Sequence, residues 1–166
     1  MLGRTLENLG MNTQSEAAYL KAIEINTAYD KAHNNLGVLY FSKLQDYDKA
    51  IEQFMAILSI NREDHDAYLM MGRCYIEKKE YRSAEGALRK AVELGPTDYE
   101  SHLFLSETLV KLGSYSDAFS ISSQAIKIKG KEGGGYYYRG LANKGLGKKS
   151  AAIADFEQAA TDKDWK

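Results

Sequence analysis

Residues 65–98 read HDAYLMMGRCYIEKKEYRSAEGALRKAVELGPTD, and the landmarks of this stretch recur along the whole chain. Its central small residue has four equivalents, so that the full series is Gly3, Gly37, Gly72, Ser106 and Gly140. Three of the steps between these positions are 34 residues long, and the step from Gly37 to Gly72 is 35. A fixed period of this length is typical of a solenoid built from one repeated supersecondary unit. Such folds usually bind partners rather than catalyse reactions.

The other landmarks keep the same register. An aromatic residue or a histidine precedes each of the last four central residues by four positions, at His33, Tyr68, His102 and Tyr136. A second small residue marks the later half of each unit, at Ser15, Ala50, Ala84, Ala118 and Ala152. Spacings of three, four and seven residues place side chains on one face of an α-helix, and glycine and polar residues between them mark a turn. Each unit is therefore predicted to be a helical hairpin. The extra residue of the long step is expected in the turn at residues 44–46.

The third unit carries a family pattern most fully. The matching positions are Tyr68, Met71, Gly72, Tyr75, Tyr81, Ala84, Leu88, Ala91 and Pro96. On these residues the chain resembles the tetratricopeptide repeat family. The resemblance implies an all-α, right-handed superhelical solenoid of helix-turn-helix repeats. It covers essentially the whole chain as one domain, residues 1–166, with a partial repeat at 1–29 and further repeats at 30–64, 65–98, 99–132 and 133–166.

Composition agrees with a repeat protein that has no membrane span. The chain has 166 residues with 44% hydrophobic and 27% charged, one proline and one cysteine, Cys74. A single cysteine forms no internal disulfide, and no apolar run approaches a signal core or a membrane span. We expect a soluble, cytoplasmic protein. Neither end shows a polar cap, so we expect a fragment of a longer protein or a homo-oligomer formed through uncapped ends.

Catalytic, metal and cofactor sites are not expected. His33, His65 and His102 lie in successive units and are too dispersed for a metal site. Residues 145–150, GLGKKS, fail as a phosphate loop because Ala142 stands where the first glycine should be. The run at 133–135 is interpreted as a flexible helix start, and no catalytic triad can be assembled from sequence positions. The prediction is a protein that is not an enzyme.

A net charge of −1 argues against general nucleic-acid binding. Residues 127–150 are an exception, because seven basic side chains face only Glu132 there. These are Lys127, Lys129, Lys131, Arg139, Lys144, Lys148 and Lys149. Two interpretations stay open, a solvated rim and a weak site for an acidic partner.

The best functional signal is a second face on the first helix of each hairpin. In tetratricopeptide proteins this face lines a concave groove that holds peptides. The resemblance implies a groove lined by Asn34, Asn35, Val38, Leu69, Arg73, Leu103, Glu107, Tyr137, Leu141 and Lys144. At its edge, Met70, Phe104 and Tyr138 are also interpreted as packing between adjacent first helices. Aromatic and aliphatic anchors beside Asn34, Arg73 and Glu107 suit a peptide or helical segment.

Two specialised groove types are disfavoured. A clamp for acidic chaperone tails needs Lys and Arg where this chain has Asp66 and Met70, and an asparagine ladder stops after Asn35. The predicted function is a scaffold that binds a protein segment in its groove. The alternatives are a self-assembly module and a regulatory arm of a larger enzyme. The fifth unit, with Arg139 and Asn143 at positions expected to be apolar, should be the least stable.

Overall fold

A computed structural model of the protein describes residues 2–162, and within them every regular element is helical. The α-helices are α1 (Leu2–Asn8), α2 (Asn12–Ile25), α3 (Asp30–Leu39), α4 (Tyr47–Ile60), α5 (His65–Glu77), α6 (Tyr81–Leu94), α7 (Tyr99–Lys111), α8 (Tyr115–Ile128), α9 (Gly133–Gly145) and α10 (Lys149–Ala159). A π-helical turn (Tyr40–Leu44) extends α3. The predicted all-α series of hairpins is confirmed.

The chain divides into two compact units, Met1–Lys78 and Lys79–Lys166. In the first unit, each helix from α1 to α5 packs against the next helix along the chain. In the second unit, α6 to α10 pack in the same consecutive way, and α7 also packs against α9. The single domain and its repeat limits stay predictions, and residues 163–166 of the last predicted repeat lie outside the described residues.

The small residue at the centre of a hairpin lies directly under a large side chain of the second helix. A Cβ atom added at Gly37 would lie 2.8 Å from Cζ of Phe54, and one added at Gly140 would lie 2.6 Å from Cε1 of Phe156. At Gly3 the ring of Tyr19 fills the same place, at 2.5 Å. These distances leave no room for a methyl group, because real Cβ atoms do not approach other atoms so closely. Close packing between the two helices of a hairpin therefore explains why small residues recur at this period in the sequence.

The fourth hairpin has Ser106 where the others have glycine, and Ser122 where they have Tyr19, Phe54, Leu88 or Phe156. Ser106 and Ser122 are both fully buried. The Ser106 hydroxyl donates a hydrogen bond to the His102 carbonyl at 2.8 Å, and the Ser122 hydroxyl donates to the Ala118 carbonyl at 2.6 Å. Because each hydroxyl bonds to the preceding turn of its own helix, neither buries an unsatisfied donor.

The turns inside three hairpins share one geometry. Gly10, Gly113 and Gly147 have φ of +74°, +74° and +75°, in the region that favours glycine. The amide of the following residue donates back to a carbonyl five residues earlier, as from Ser114 to Leu109 at 2.9 Å. This is the Schellman arrangement that ends many helices.

The second hairpin accommodates its extra residue at the end of its first helix and in the turn that follows. Residues 40–44 form the π-helical turn, and the Asp46 amide donates to the Tyr40 carbonyl at 3.0 Å, six residues back instead of five. Gln45 then takes the left-handed conformation, with φ of +53°. Single-turn π-bulges are the usual way for an α-helix to absorb one inserted residue. The expected insertion in the turn is therefore shared with the last turn of the helix.

The glycine-rich start of α9, which is interpreted as flexible from the sequence, is buried and hydrogen-bonded in the structure. Gly133, Gly134 and Gly135 are buried. The Gly133 amide donates to Asp162 at 2.6 Å, and the Gly135 amide donates to the Tyr99 hydroxyl at 3.2 Å. A Cβ atom at Gly135 would lie 2.9 Å from Cγ1 of Ile126. Residues distant in sequence therefore accept hydrogen bonds from the backbone amides at the start of α9, which has no side-chain cap of its own.

Candidate functional site

In the first unit, two predicted groove residues line a polar cavity. The cavity has a volume of about 510 Å³ and lies among α1, α3 and the beginning of α5. Its lining residues are Arg4, Asp30, Lys31, Asn34, Asn35, Ile57, Asp64 and Asp66. Asn34 is exposed and Asn35 is half-buried. Asparagine amides both donate and accept hydrogen bonds, so they suit a peptide backbone.

Carboxylates dominate the rim of this cavity. Asp64 accepts a hydrogen bond from the Ala67 amide at 2.8 Å and thereby caps α5, whereas Asp66 lies 2.9 Å from the His65 ring. Asp30 accepts from the Lys31 amide at 2.6 Å. Asp66 lies where an acidic-tail clamp would need a cation, so the cavity does not match that clamp, and Arg4 and Lys31 are the two cations in its lining.

The rest of the first-unit site centres on Arg73. The Arg73 guanidinium lies over the Phe41 ring, 5.0 Å from its centroid, and its Nη1 lies 3.5 Å from Sδ of Met70. Val38 is half-buried and Leu69 is buried, with 7% of its surface exposed. A guanidinium on an aromatic face is held in one orientation by a cation–π interaction. Because Leu69 is buried, it contributes more to packing than to an open surface.

Phe41 is a candidate site residue that the sequence analysis missed. It is half-buried and belongs to the π-helical turn, and its ring also meets Tyr47 edge-on at 5.7 Å. The available signal was its position three residues after Val38, which is helical spacing. This spacing is difficult to recognise in the sequence because the inserted residue shifts the repeat register near Phe41.

In the second unit, the predicted groove residues lie on the packed pair α7 and α9. Leu103, Glu107 and Leu141 are half-buried, whereas Tyr137 and Lys144 are exposed. The Tyr137 ring lies 5.3 Å from Tyr138 and 6.0 Å from Phe156 between centroids. The surface thus combines aliphatic and aromatic area with one carboxylate and one ammonium group.

Tyr138 connects the two helices of this pair. Burial raises the pKa of the Tyr138 hydroxyl, and the nearby charge of Glu107 and a hydrogen bond to it raise that pKa further. A neutral phenol that donates to a carboxylate is a stable arrangement in a partly dry site. Tyr138 therefore packs between adjacent first helices, which is one of its two interpretations, and it also orients Glu107.

The polar residues of the fifth hairpin form a buried network. Arg139 donates through Nε to both Asp155 oxygens at 3.1 and 3.0 Å, and Asn143 donates through Nδ2 at 2.8 Å. Asp155 is only 5% exposed. The hydrogen bond to Asp155 raises the pKa of the Arg139 guanidinium. Arg139 and Asn143 stand out in the sequence because they occupy positions expected to be apolar. Asp155 does not stand out, since its only signal is an acidic residue three positions after the packed Ala152.

Neither a metal cluster nor a membrane-spanning helix is found within residues 2–162. No group of three His, Cys, Asp or Glu side chains in this range is placed to hold a metal ion. None of the helices described there is long and apolar enough to cross a bilayer. Cys74 is fully buried, and burial raises the pKa of its thiol to about 12, so it is a weak nucleophile at neutral pH.

The family assignment follows from the repeats and from three matching models. Two tetratricopeptide repeat models match residues 1–29 and 18–52, and the model described as the TT21 fifth ARM repeats domain matches residues 65–166. The chain belongs to the tetratricopeptide repeat family, and its residues 65–166 belong to the TT21 fifth ARM repeats domain.

Among curated proteins, the chain is similar to the BBSome complex member BBS4. It is 32% identical to the Bos taurus protein over 71% of this chain and 22% of that protein. It is 25% identical to the Drosophila melanogaster homolog over 95% of this chain and 35% of that protein. The chain therefore spans about a fifth to a third of the length of these relatives.

Solved structures show the same fold. A crystal structure of MamA matches with a TM-score of 0.91 at 21% identity, covering 99% of this chain and 95% of that chain. YrrB, described as a tetratricopeptide repeat protein with an unusual peptide-binding site, matches with a TM-score of 0.84 at 21% identity, over 97% and 82%. At these identities the likeness establishes the fold alone.

Proposed function

We propose that this protein is a non-catalytic scaffold that binds a peptide or helical segment of a partner on the groove face of its first helices. The observation that carries the proposal is the surface of the packed helices α7 and α9, which present half-buried Leu103 and Leu141, exposed Tyr137, and a Glu107 that is hydrogen-bonded to Tyr138. Aromatic and aliphatic anchors next to a fixed polar group are typical of peptide sites.

The first unit supports the same proposal through different chemistry. Its cavity offers the Asn34 and Asn35 amides, and Arg73 is held over Phe41 as an oriented donor. A segment bound there would receive hydrogen bonds to its backbone and a charge that selects its register. The peptide-binding site named for YrrB and the complex membership named for BBS4 agree with a protein-binding role.

A quantitative pull-down from source cells tests this function. The groove variant carries Leu103→Asp and Leu141→Asp, and the matched control carries Met55→Asp and Ile153→Asp, because Met55 and Ile153 are exposed apolar residues on second helices. Circular dichroism establishes that both variants are folded. We expect the groove variant to lose the partners that wild type and control retain. Equal partner profiles for the two variants would contradict the proposal.

Self-association is a second candidate, favoured by the exposed apolar side chains of the first hairpin. Leu9 is 68% exposed, Ile25 is 79% exposed and Leu20 is 46% exposed. A second copy would remove this area from water. Light scattering across a concentration series checks the idea, with Leu9→Glu and Leu20→Glu expected to abolish any dimer. A monomer at every concentration would exclude it.

A further inference from the structure

The second unit carries a basic surface that the groove does not use. It lies along the turns that precede α6, α8 and α10, and we call it the turn edge. Its residues are Lys79, Arg82, Lys111, Lys148 and Lys149, all exposed. The basic stretch at residues 127–150 is divided by the fold, since Lys127 and Lys131 lie at the opposite end of α9 and Arg139 is bonded to Asp155.

Two shallow clefts show that these turns form one continuous surface. The first, of about 410 Å³, joins residues 79–83 to Leu112 of the next turn. The second, of about 290 Å³, joins residues 113–117 to Leu146 of the turn after that. The cations therefore lie along three neighbouring turns with a leucine in each gap.

The positive charge of the turn edge is largely uncompensated. Only two carboxylates line the clefts, those of Glu80 and Asp117, and Asp117 lies 2.8 Å from Arg89. Within residues 2–162, no ion pair involves Lys79, Arg82, Lys111 or Lys149. The helices α6, α8 and α10 also begin here without a side-chain cap, so their positive dipole ends add to the field.

We propose that the turn edge binds an acidic peptide segment whose apolar side chains recur about every three residues. Adjacent helices pack about 10 Å apart. A polyproline II chain advances about 3.1 Å per residue and returns a side chain to the same face every third residue, so a three-residue step matches this spacing for the two leucine sites. Leu146 is 37% exposed, and half-buried Tyr81 and Tyr115 line the clefts. A leucine in each cleft beside the cations favours such a peptide over a nucleic acid, which offers phosphates without aliphatic side chains.

Fluorescence anisotropy with a labelled peptide that has leucine at every third position and acidic residues between the leucines tests this surface. The test variant carries Lys111→Glu and Lys149→Glu. The matched control carries Lys127→Glu and Lys131→Glu, which change the net charge equally at the opposite edge of the same unit. At low ionic strength we expect the test variant to bind at least about tenfold more weakly and the control to stay within about twofold of wild type.

A second peptide and two other anions make the test specific. Replacing the leucines of the probe by serine should weaken binding by about threefold or more, because the clefts would then bury no apolar surface. No peptide binding by wild type, or an equal loss in test and control variants, would overturn the proposal. Binding of single-stranded DNA or anionic vesicles through Lys111 and Lys149, without binding of the peptide, would also overturn the proposal. Since the turn edge is separate from the groove, groove variants should leave this binding unchanged.

Discussion

At the scale of single residues, the fold depends on positions where no side chain fits. The repeat period in the sequence comes from these positions, because the ring of Phe54 or Phe156 occupies the space that a Cβ atom would need. The sequence could therefore predict the hairpins well. It could not predict Phe41 or Asp155, because their roles depend on a shifted register and on a partner across the hairpin.

Gly37→Ala should destabilise the protein by about 1–3 kcal/mol, since the new methyl group would overlap the Phe54 ring. Gly86→Ala is the matched control, because a Cβ atom at Gly86 in α6 would meet nothing within 4 Å. Alanine there should stabilise the helix by about 0.5–1 kcal/mol. Urea unfolding measures both changes. Equal effects at the two glycines would show that close packing does not explain the period.

Cys74 should react with thiol reagents only after the protein unfolds. Burial raises the pKa of its thiol to about 12, so the thiolate population is very small at pH 8 and grows only as the pH approaches that value. Ellman's reagent at pH 8, with and without urea, provides the measurement. Rapid labelling of the folded protein would show that the region around α5 opens freely.

At the scale of helices, aspartates fix where several helices begin. The Asp46 carboxylate accepts a hydrogen bond from the Lys49 amide at 3.2 Å, and this bond is the main cause of the lowered pKa of Asp46. Asp64 and Asp98 cap α5 and α7 in the same way. Such helix starts could be anticipated from the sequence. The cap that Asp162 gives to α9 could not, since it comes from a distant residue.

Asp46→Ala should cost about 1 kcal/mol at pH 7. Because the folded state lowers the pKa of Asp46, this stabilisation is present above the ordinary aspartate pKa of about 3.9 and is lost as the pH falls below it. Unfolding at pH 7 and at acid pH checks the difference between variant and wild type. Ser114→Ala, at a helix start without a side-chain cap bond, should change stability by less than about 0.5 kcal/mol. A cost for Asp46→Ala that is independent of pH would contradict the capping role.

Deletion of Leu44 should be tolerated within about 1 kcal/mol, because it would convert the π-helical turn into the ending used by the other hairpins. Deletion of Met55, which is also exposed to solvent but lies in the middle of α4, should unfold the hairpin by rotating half of that helix away from its partners. Thermal unfolding followed by circular dichroism compares the two. Similar losses would mean that the π-helical turn is not the site of the insertion.

Asp155→Ala should destabilise the second unit by about 3 kcal/mol, because Arg139 and Asn143 would lose their shared acceptor inside the hairpin. Replacing Arg139, Asn143 and Asp155 together with Met, Leu and Leu should restore most of the stability, since a buried ion pair is seldom better than packed apolar residues. Urea unfolding of both variants provides the comparison. A cost below about 0.5 kcal/mol for Asp155→Ala would show that the network is not a structural element.

At the scale of the whole molecule, the sequence predicted the fold class and the family because five repetitions of one pattern reinforce each other. The functional surface was harder to predict, because groove residues vary while core residues repeat. Asn34 and Asn35 do line one cavity, and Leu103, Glu107, Tyr137 and Leu141 lie on one helix pair. Leu69, in contrast, is buried, since its environment depends on neighbours that helical periodicity alone cannot specify.

The central claim, that a partner segment lies on the groove face, is tested most directly by photo-crosslinking in source cells. A benzophenone side chain is placed at Tyr137 in one variant and at Ile153 in another, because both positions are exposed and they lie on the first and second helix of the same hairpin. The groove proposal predicts a discrete protein adduct from position 137 and none from position 153. The reverse pattern, or the same adducts from both positions, would contradict it.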